Sequence, residues 1–131
     1  MTKDRFITTK YRVRPGVPTL IKFIEWKEIA NNEDNYNRHI LDNIVKEVLE
    51  SLNSSSNLRI KKDKFKKRIA RTLTFEQNTI ERIEEKRKDL KCFKGEVIEI
   101  CLYIYARKNL SVAEQKLNGI DTWDIEIQNL R

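Results

Sequence analysis

Thr9-Lys10-Tyr11-Arg12-Val13-Arg14 alternates bulky and basic residues. In an extended chain this puts Tyr11 and Val13 on one face and Lys10, Arg12 and Arg14 on the other. A second stretch, Ile69-Ala70-Arg71-Thr72-Leu73-Thr74-Phe75, has the same period, with Leu73 and Phe75 on one face and Ala70, Thr72 and Thr74 opposite. Two short strands of this kind, each with one apolar and one polar face, decide the fold, because neither can stand alone with its N–H and C=O groups unpaired.

Outward from the first strand, Pro15-Gly16 breaks the extended run and Pro18 suits the first turn of a helix. Leu20, Phe23, Ile24 and Lys27 follow helical spacing to about Ala30, and residues 31–35 (Asn-Asn-Glu-Asp-Asn) read as a loop. A second helix over about 36–52 carries Ile40, Leu41, Ile44, Val45, Val48 and Leu49 as one stripe. Outward from the second strand, Glu76 suits the positive end of a helix whose buried stripe is Ile80, Ile83 and Leu90. Residues 91–95 form a turn, and a last helix over about 96–108 buries Val97, Ile98, Cys101, Leu102 and Tyr105.

The chain thus reads twice as strand, helix, helix. The first helices align at an offset of 60, placing Leu20 on Ile80 and Phe23 on Ile83, and the same offset puts Val13 on Leu73, Arg12 on Thr72 and Arg14 on Thr74. The second helices align at 57, Ile40 on Val97 and Ile44 on Cys101. The expected organisation is a first unit over 1–52, a Ser-rich then basic linker over 53–67, a second unit over 68–108 and an acidic tail over 109–131. A unit of about 45 residues is too small to bury a sufficient core alone. Pairing solves this: the expected fold is mostly α, with two β-strands as an antiparallel ribbon over four helices.

Strand, helix, turn, helix at this spacing resembles the ribbon–helix–helix DNA-binding proteins. Arg71-Thr72-Leu73-Thr74-Phe75 with its polar helix start looks like that family's strand and first helix, and Lys10-Tyr11-Arg12-Val13-Arg14-Pro15 resembles the Arc-type strand. Glu96-Val97-Ile98 and Asn37-Arg38-His39-Ile40 resemble the second-helix openings, which in the family read Ser-Glu-Val-Ile or Asn-Ser-Glu-Ile. The matches cover roughly residues 8–52 and 68–107. The resemblance implies a tandem ribbon–helix–helix protein that inserts its ribbon in the major groove. It implies base reading by Lys10, Arg12, Arg14, Ala70, Thr72 and Thr74. It further implies phosphate binding at the second-helix N-termini, by Asn35 and Asn37 and by Lys94 and Gly95, with Lys91 adding charge. Tandem copies resemble relaxosome accessory proteins of conjugative plasmids and tandem viral or archaeal repressors. Two departures stand out: Lys91 occupies the position of the turn glycine, and Gly95 replaces Ser at the expected N-cap.

Composition bounds the partners. The 131 residues include 27 Lys plus Arg against 20 Asp plus Glu, a formal net charge of +7. The mean hydropathy of −0.67 and the short apolar runs argue against a membrane protein. Residues 109–131 hold four acidic and two basic residues, so the tail opposes a strongly basic body. Double-stranded DNA is the expected partner, with self-association and a protein partner through the tail as further expectations. Arg59 to Arg68 reads either as a solvated linker or as a phosphate-contacting arm. Tyr103, Tyr105 and Trp26 read as core or dimer packing, with base stacking the alternative. Two Cys and one His build no zinc finger or disulfide framework, and no nucleophile–base arrangement or Gly-rich loop is readable, so no enzyme activity and no cofactor or metal are expected. The start lacks a signal peptide and the Cys usage fits a reduced compartment, so a cytoplasmic protein is expected. The alternative function is a helical, antitoxin-like interaction protein or a non-specific nucleic-acid binder.

Overall fold

The structure is a computed structural model that describes residues 5–31, 39–53, 58–61 and 67–129. The elements run β1 (Phe6–Val13), α1 (Gly16–Asn31), α2 (Ile40–Asn53), β2 (Leu58–Lys61), β3 (Ile69–Glu76), α3 (Gln77–Leu90), α4 (Lys94–Asn109), α5 (Val112–Leu117), a 3-10 turn (Ile120–Thr122) and β4 (Glu126–Asn129). The described chain is mostly helical, with an antiparallel ribbon of β1 and β3 as expected.

The ribbon pairs Phe6 with Glu76, Thr8 with Thr74, Lys10 with Thr72 and Arg12 with Ala70 on one face. Between them lie Ile7 with Phe75, Thr9 with Leu73, Tyr11 with Arg71 and Val13 with Ile69. This second face meets the helices: Tyr11, Val13 and Phe75 are buried, and the Tyr11 and Phe75 rings meet edge to face at 5.6 Å. Leu20, Ile83, Leu49, Ile98 and Leu102 complete the core beneath, each burial contributing about 1.5–3 kcal/mol.

α4 is the central helix, with every residue from Gly95 to Leu102 buried. It packs on β1, α2 and α3, while α2 packs on β3, so each second helix touches the strand of the other half of the chain. Two backbone bonds fix this exchange. The Arg14 N–H donates to Glu99 Oε2 at 3.0 Å, and the Glu76 N–H donates to Asp42 Oδ1 at 2.8 Å. Asp42 and Glu99 lie 57 positions apart, the offset expected for the second helices. The strand residues they hold, Arg14 and Glu76, lie 62 apart, whereas the expected alignment put Arg14 on Thr74. The strands are therefore related two residues further along, which keeps the alternation but shifts the pairing.

A second ribbon was not anticipated. β2, within the expected linker, pairs antiparallel with β4 in the tail, Leu58 opposite Asn129 and Lys61 opposite Glu126. The alternation of Trp123, Ile125 and Ile127 becomes a strand only from Glu126 onward. Residues 62–66 of the basic stretch lie outside the described residues. The tail returns to the body: Trp123 is buried, stacks on Tyr103 at 6.4 Å and lies 5.2 Å from the Arg14 guanidinium. Trp26, read as a packing residue, is 63% exposed beside Phe23. No helix among the described residues is long and apolar enough to cross a membrane.

Candidate nucleic-acid interface

Lys10, Arg12, Ala70, Thr72 and Thr74 are exposed on the ribbon's outward face. Arg14 is not. It was expected beside Arg12, but β1 ends at Val13 and the chain turns, so Arg14 is buried at 4% exposure and its Nε donates to Glu99 Oε1 at 3.0 Å. Arg68 completes the cluster, donating from Nε and Nη2 to the two Glu99 oxygens at 2.9 and 2.8 Å. A carboxylate held in the interior needs such partners, and two guanidinium groups supply them. Arg14 is therefore a structural residue that anchors β1 to α4. The outward place it was given belongs to Thr8, which is exposed and whose hydroxyl lies 2.7 Å from that of Thr74. Extending the alternation two residues towards the N-terminus, through Phe6 and Thr8, was the signal for it.

The N-terminus of α4 abuts the Arg12 end of the ribbon. Gly95 makes this approach: a Cβ there would stand 1.8 Å from the Arg12 carbonyl oxygen. Gly95 is buried and is not the N-cap. That position is Phe93, 72% exposed, whose N–H donates to Glu96 Oε1 at 3.3 Å. The expected phosphate-binding glycine is thus a close-packing residue of the first helical turn, one step inside Lys94. Lys94 itself is exposed. Lys91 is exposed too and takes the left-handed conformation (φ 56°, ψ 50°) that ends α3, with the Cys92 N–H donating to the Arg87 carbonyl at 3.0 Å. Asn35 and Asn37 lie outside the described residues.

Between ribbon and helix end lies a groove of about 620 Å³, lined by Lys10, Tyr11, Arg12, Arg68, Arg87, Phe93, Lys94 and Gly95. Five of these carry positive charge. Arg68 is paired with Glu99, and Arg87 and Lys94 flank Glu84 at 2.7 and 3.3 Å. Arg87 first, with Lys94, holds the Glu84 carboxyl down at about 2. Arg12 donates to the Arg68 carbonyl at 3.0 Å, and among the described residues neither Lys10 nor Arg12 is ion-paired. The groove therefore offers donors and positive potential, the chemistry that accepts phosphate and guanine oxygens. Sequence reasoning found Lys10, Arg12, Lys94 and Gly95, and weighed Arg68 as the end of a phosphate-contacting arm, but not Arg87 or Phe93, which come from separate elements.

His39 stacks on Phe6, ring centroids 3.8 Å apart. Cys92 and Cys101 are buried, and burial pushes the Cys101 thiol far up. Among the described residues no cluster of His, Cys, Asp and Glu could hold a metal ion. Comparison with protein-family models, curated proteins and solved structures finds no match for the chain, so the reading of this surface rests on its own geometry.

Proposed function

We propose that the protein is a single-chain tandem ribbon–helix–helix factor that binds double-stranded DNA, with the β1–β3 ribbon in the major groove. The observation that carries this reading is the outward face of the ribbon. Lys10, Arg12, Thr72 and Thr74 project from a two-stranded antiparallel element whose other face buries Tyr11, Val13 and Phe75 against the helices. A ribbon of that width fits the major groove, and those side chains match base-edge acceptors and the thymine methyl. The exchanged packing of α2 on β3 and α4 on β1, with Asp42 and Glu99 in corresponding places, supports two intertwined copies of one unit. Lys94 lines one groove with Arg87 and Arg68 where α4 begins, which supports a backbone-phosphate contact there. A bound copy would block transcription or organise a plasmid-transfer complex.

The test is selection of duplexes from a random pool at physiological salt, where non-specific phosphate binding is suppressed. A recovered motif supports the reading. Lys94→Ala should then weaken binding to all sequences alike and lower the salt slope by about one. Binding only at low salt, with no motif, overturns it.

A further inference from the structure

The outward face of the ribbon differs from end to end. At the α4 end, Arg12 stands opposite Ala70 and Lys10 opposite Thr72, with the cationic groove beside them. There the Arg12 guanidinium donates through one Nη to the Arg68 carbonyl at 3.0 Å and carries no ion pair among the described residues. At the α2 end, the hydroxyls of Thr8 and Thr74 bond to each other at 2.7 Å. Beyond them Phe6 faces Glu76, whose carboxylate is engaged by Lys46. His39 covers Phe6 there. On the outward face the cations thus stand in one half, with Thr72 beside Lys10, and the paired threonines Thr8 and Thr74 stand in the other.

These halves ask for different bases. Guanidinium and ammonium groups donate only, and in the major groove guanine presents two acceptors, O6 and N7, side by side. Two threonines bonded to each other have one hydroxyl proton committed between them, which favours contact through their methyl groups, for which the thymine methyl is the complement. Resting on the DNA-binding reading above, we infer that the protein occupies a non-palindromic duplex site in one fixed orientation. A guanine-bearing step lies under Arg12 and Lys10, and an A·T step lies under Thr8 and Thr74. Arg12 is the specificity-determining residue of the first half. The polarity follows from unequal chemistry on two strands joined in one chain, so no second copy can restore symmetry within the ribbon.

The experiment uses the full chain and the duplex recovered from the random pool. The expected motif has unequal halves, with guanine in only one of them. Replacing that G·C pair by A·T should weaken the wild-type protein by about 5- to 150-fold. The same replacement should leave the affinity of Arg12→Ala almost unchanged, and Lys10→Ala provides a second variant should the first fold poorly. A motif with two equal halves overturns the polarity while the DNA-binding reading stands. So does an unequal motif whose guanine preference survives in both variants. Failure to recover any motif overturns both.

Discussion

Each end of the β1–β3 ribbon is held by a carboxylate from a second helix, but the two ends solve the same problem differently. Glu99 is 1% exposed and is held by Arg14 and Arg68, whose side chains are only 5% and 13% exposed. Asp42 is equally buried, yet its partner Lys46 is 28% exposed and shared with Glu76. Hydrogen bonding to Glu76 in turn raises the Lys46 pKa. Planar guanidinium forks can satisfy both carboxylate oxygens inside the protein, whereas an ammonium on a flexible stem keeps contact with water. One end is therefore a dry charge cluster that cannot lose a member cheaply, and the other a wet one that can.

Breaking the clusters tests that difference. Glu99→Gln removes the buried carboxylate that Arg14 and Arg68 share and should lower stability by about 3–5 kcal/mol, read by urea unfolding. Asp42→Asn should lower it by only about 1 kcal/mol, since the Glu76 N–H keeps an acceptor and the lost ion pair is partly solvated. Equal costs would erase the distinction between the ends.

The helix–strand contact next to the dry cluster is also specific. Gly95→Ala, with its Cβ driven against the Arg12 carbonyl, should cost about 1–3 kcal/mol. It should weaken DNA binding as well, because Arg12 must shift. A change in the opposite direction is expected at Lys91. Glycine there relieves the left-handed strain, and Lys91→Gly should raise stability by about 1 kcal/mol in thermal unfolding.

The smallest effect concerns Glu84. Its pKa is depressed in the folded chain, so its contribution is complete above the unfolded value of about 4.3 and is lost as pH falls through about 2. An NMR titration of the Glu84 carboxyl should show that low value, and Lys94→Ala should move it upward.

The strands and helices were legible in the sequence because their periods are distinct, and the apolar face of Tyr11, Val13 and Phe75 follows from alternation alone. Alternation does not fix where a strand stops, since a shift of two residues preserves every face. For that reason Arg14 was placed outward and Thr8 overlooked. Gly95 misled in another way: a glycine before a helix suggests a cap, and only the neighbouring strand reveals that it serves close approach. Glu99 was the missed signal, a charged residue in the apolar run Val97-Ile98-Glu99-Ile100-Cys101-Leu102. The pairing of β2 with β4 joins a basic stretch to an acidic tail almost 70 residues on, and no local pattern announces such a partner.

The ribbon has a consequence for how the protein comes into being. Its pairs join residues 56 to 70 positions apart, from Val13–Ile69 to Phe6–Glu76. Closing so long a loop before any contact rewards it slows folding. On the ribosome, β1 must wait until residues 69–76 have emerged, and meanwhile Tyr11 and Val13 stay uncovered. The surface proposed to read DNA therefore cannot exist in the first half of the nascent chain. It can form only once β3 is there to pair, so a chain cut short before residue 69 lacks the ribbon altogether.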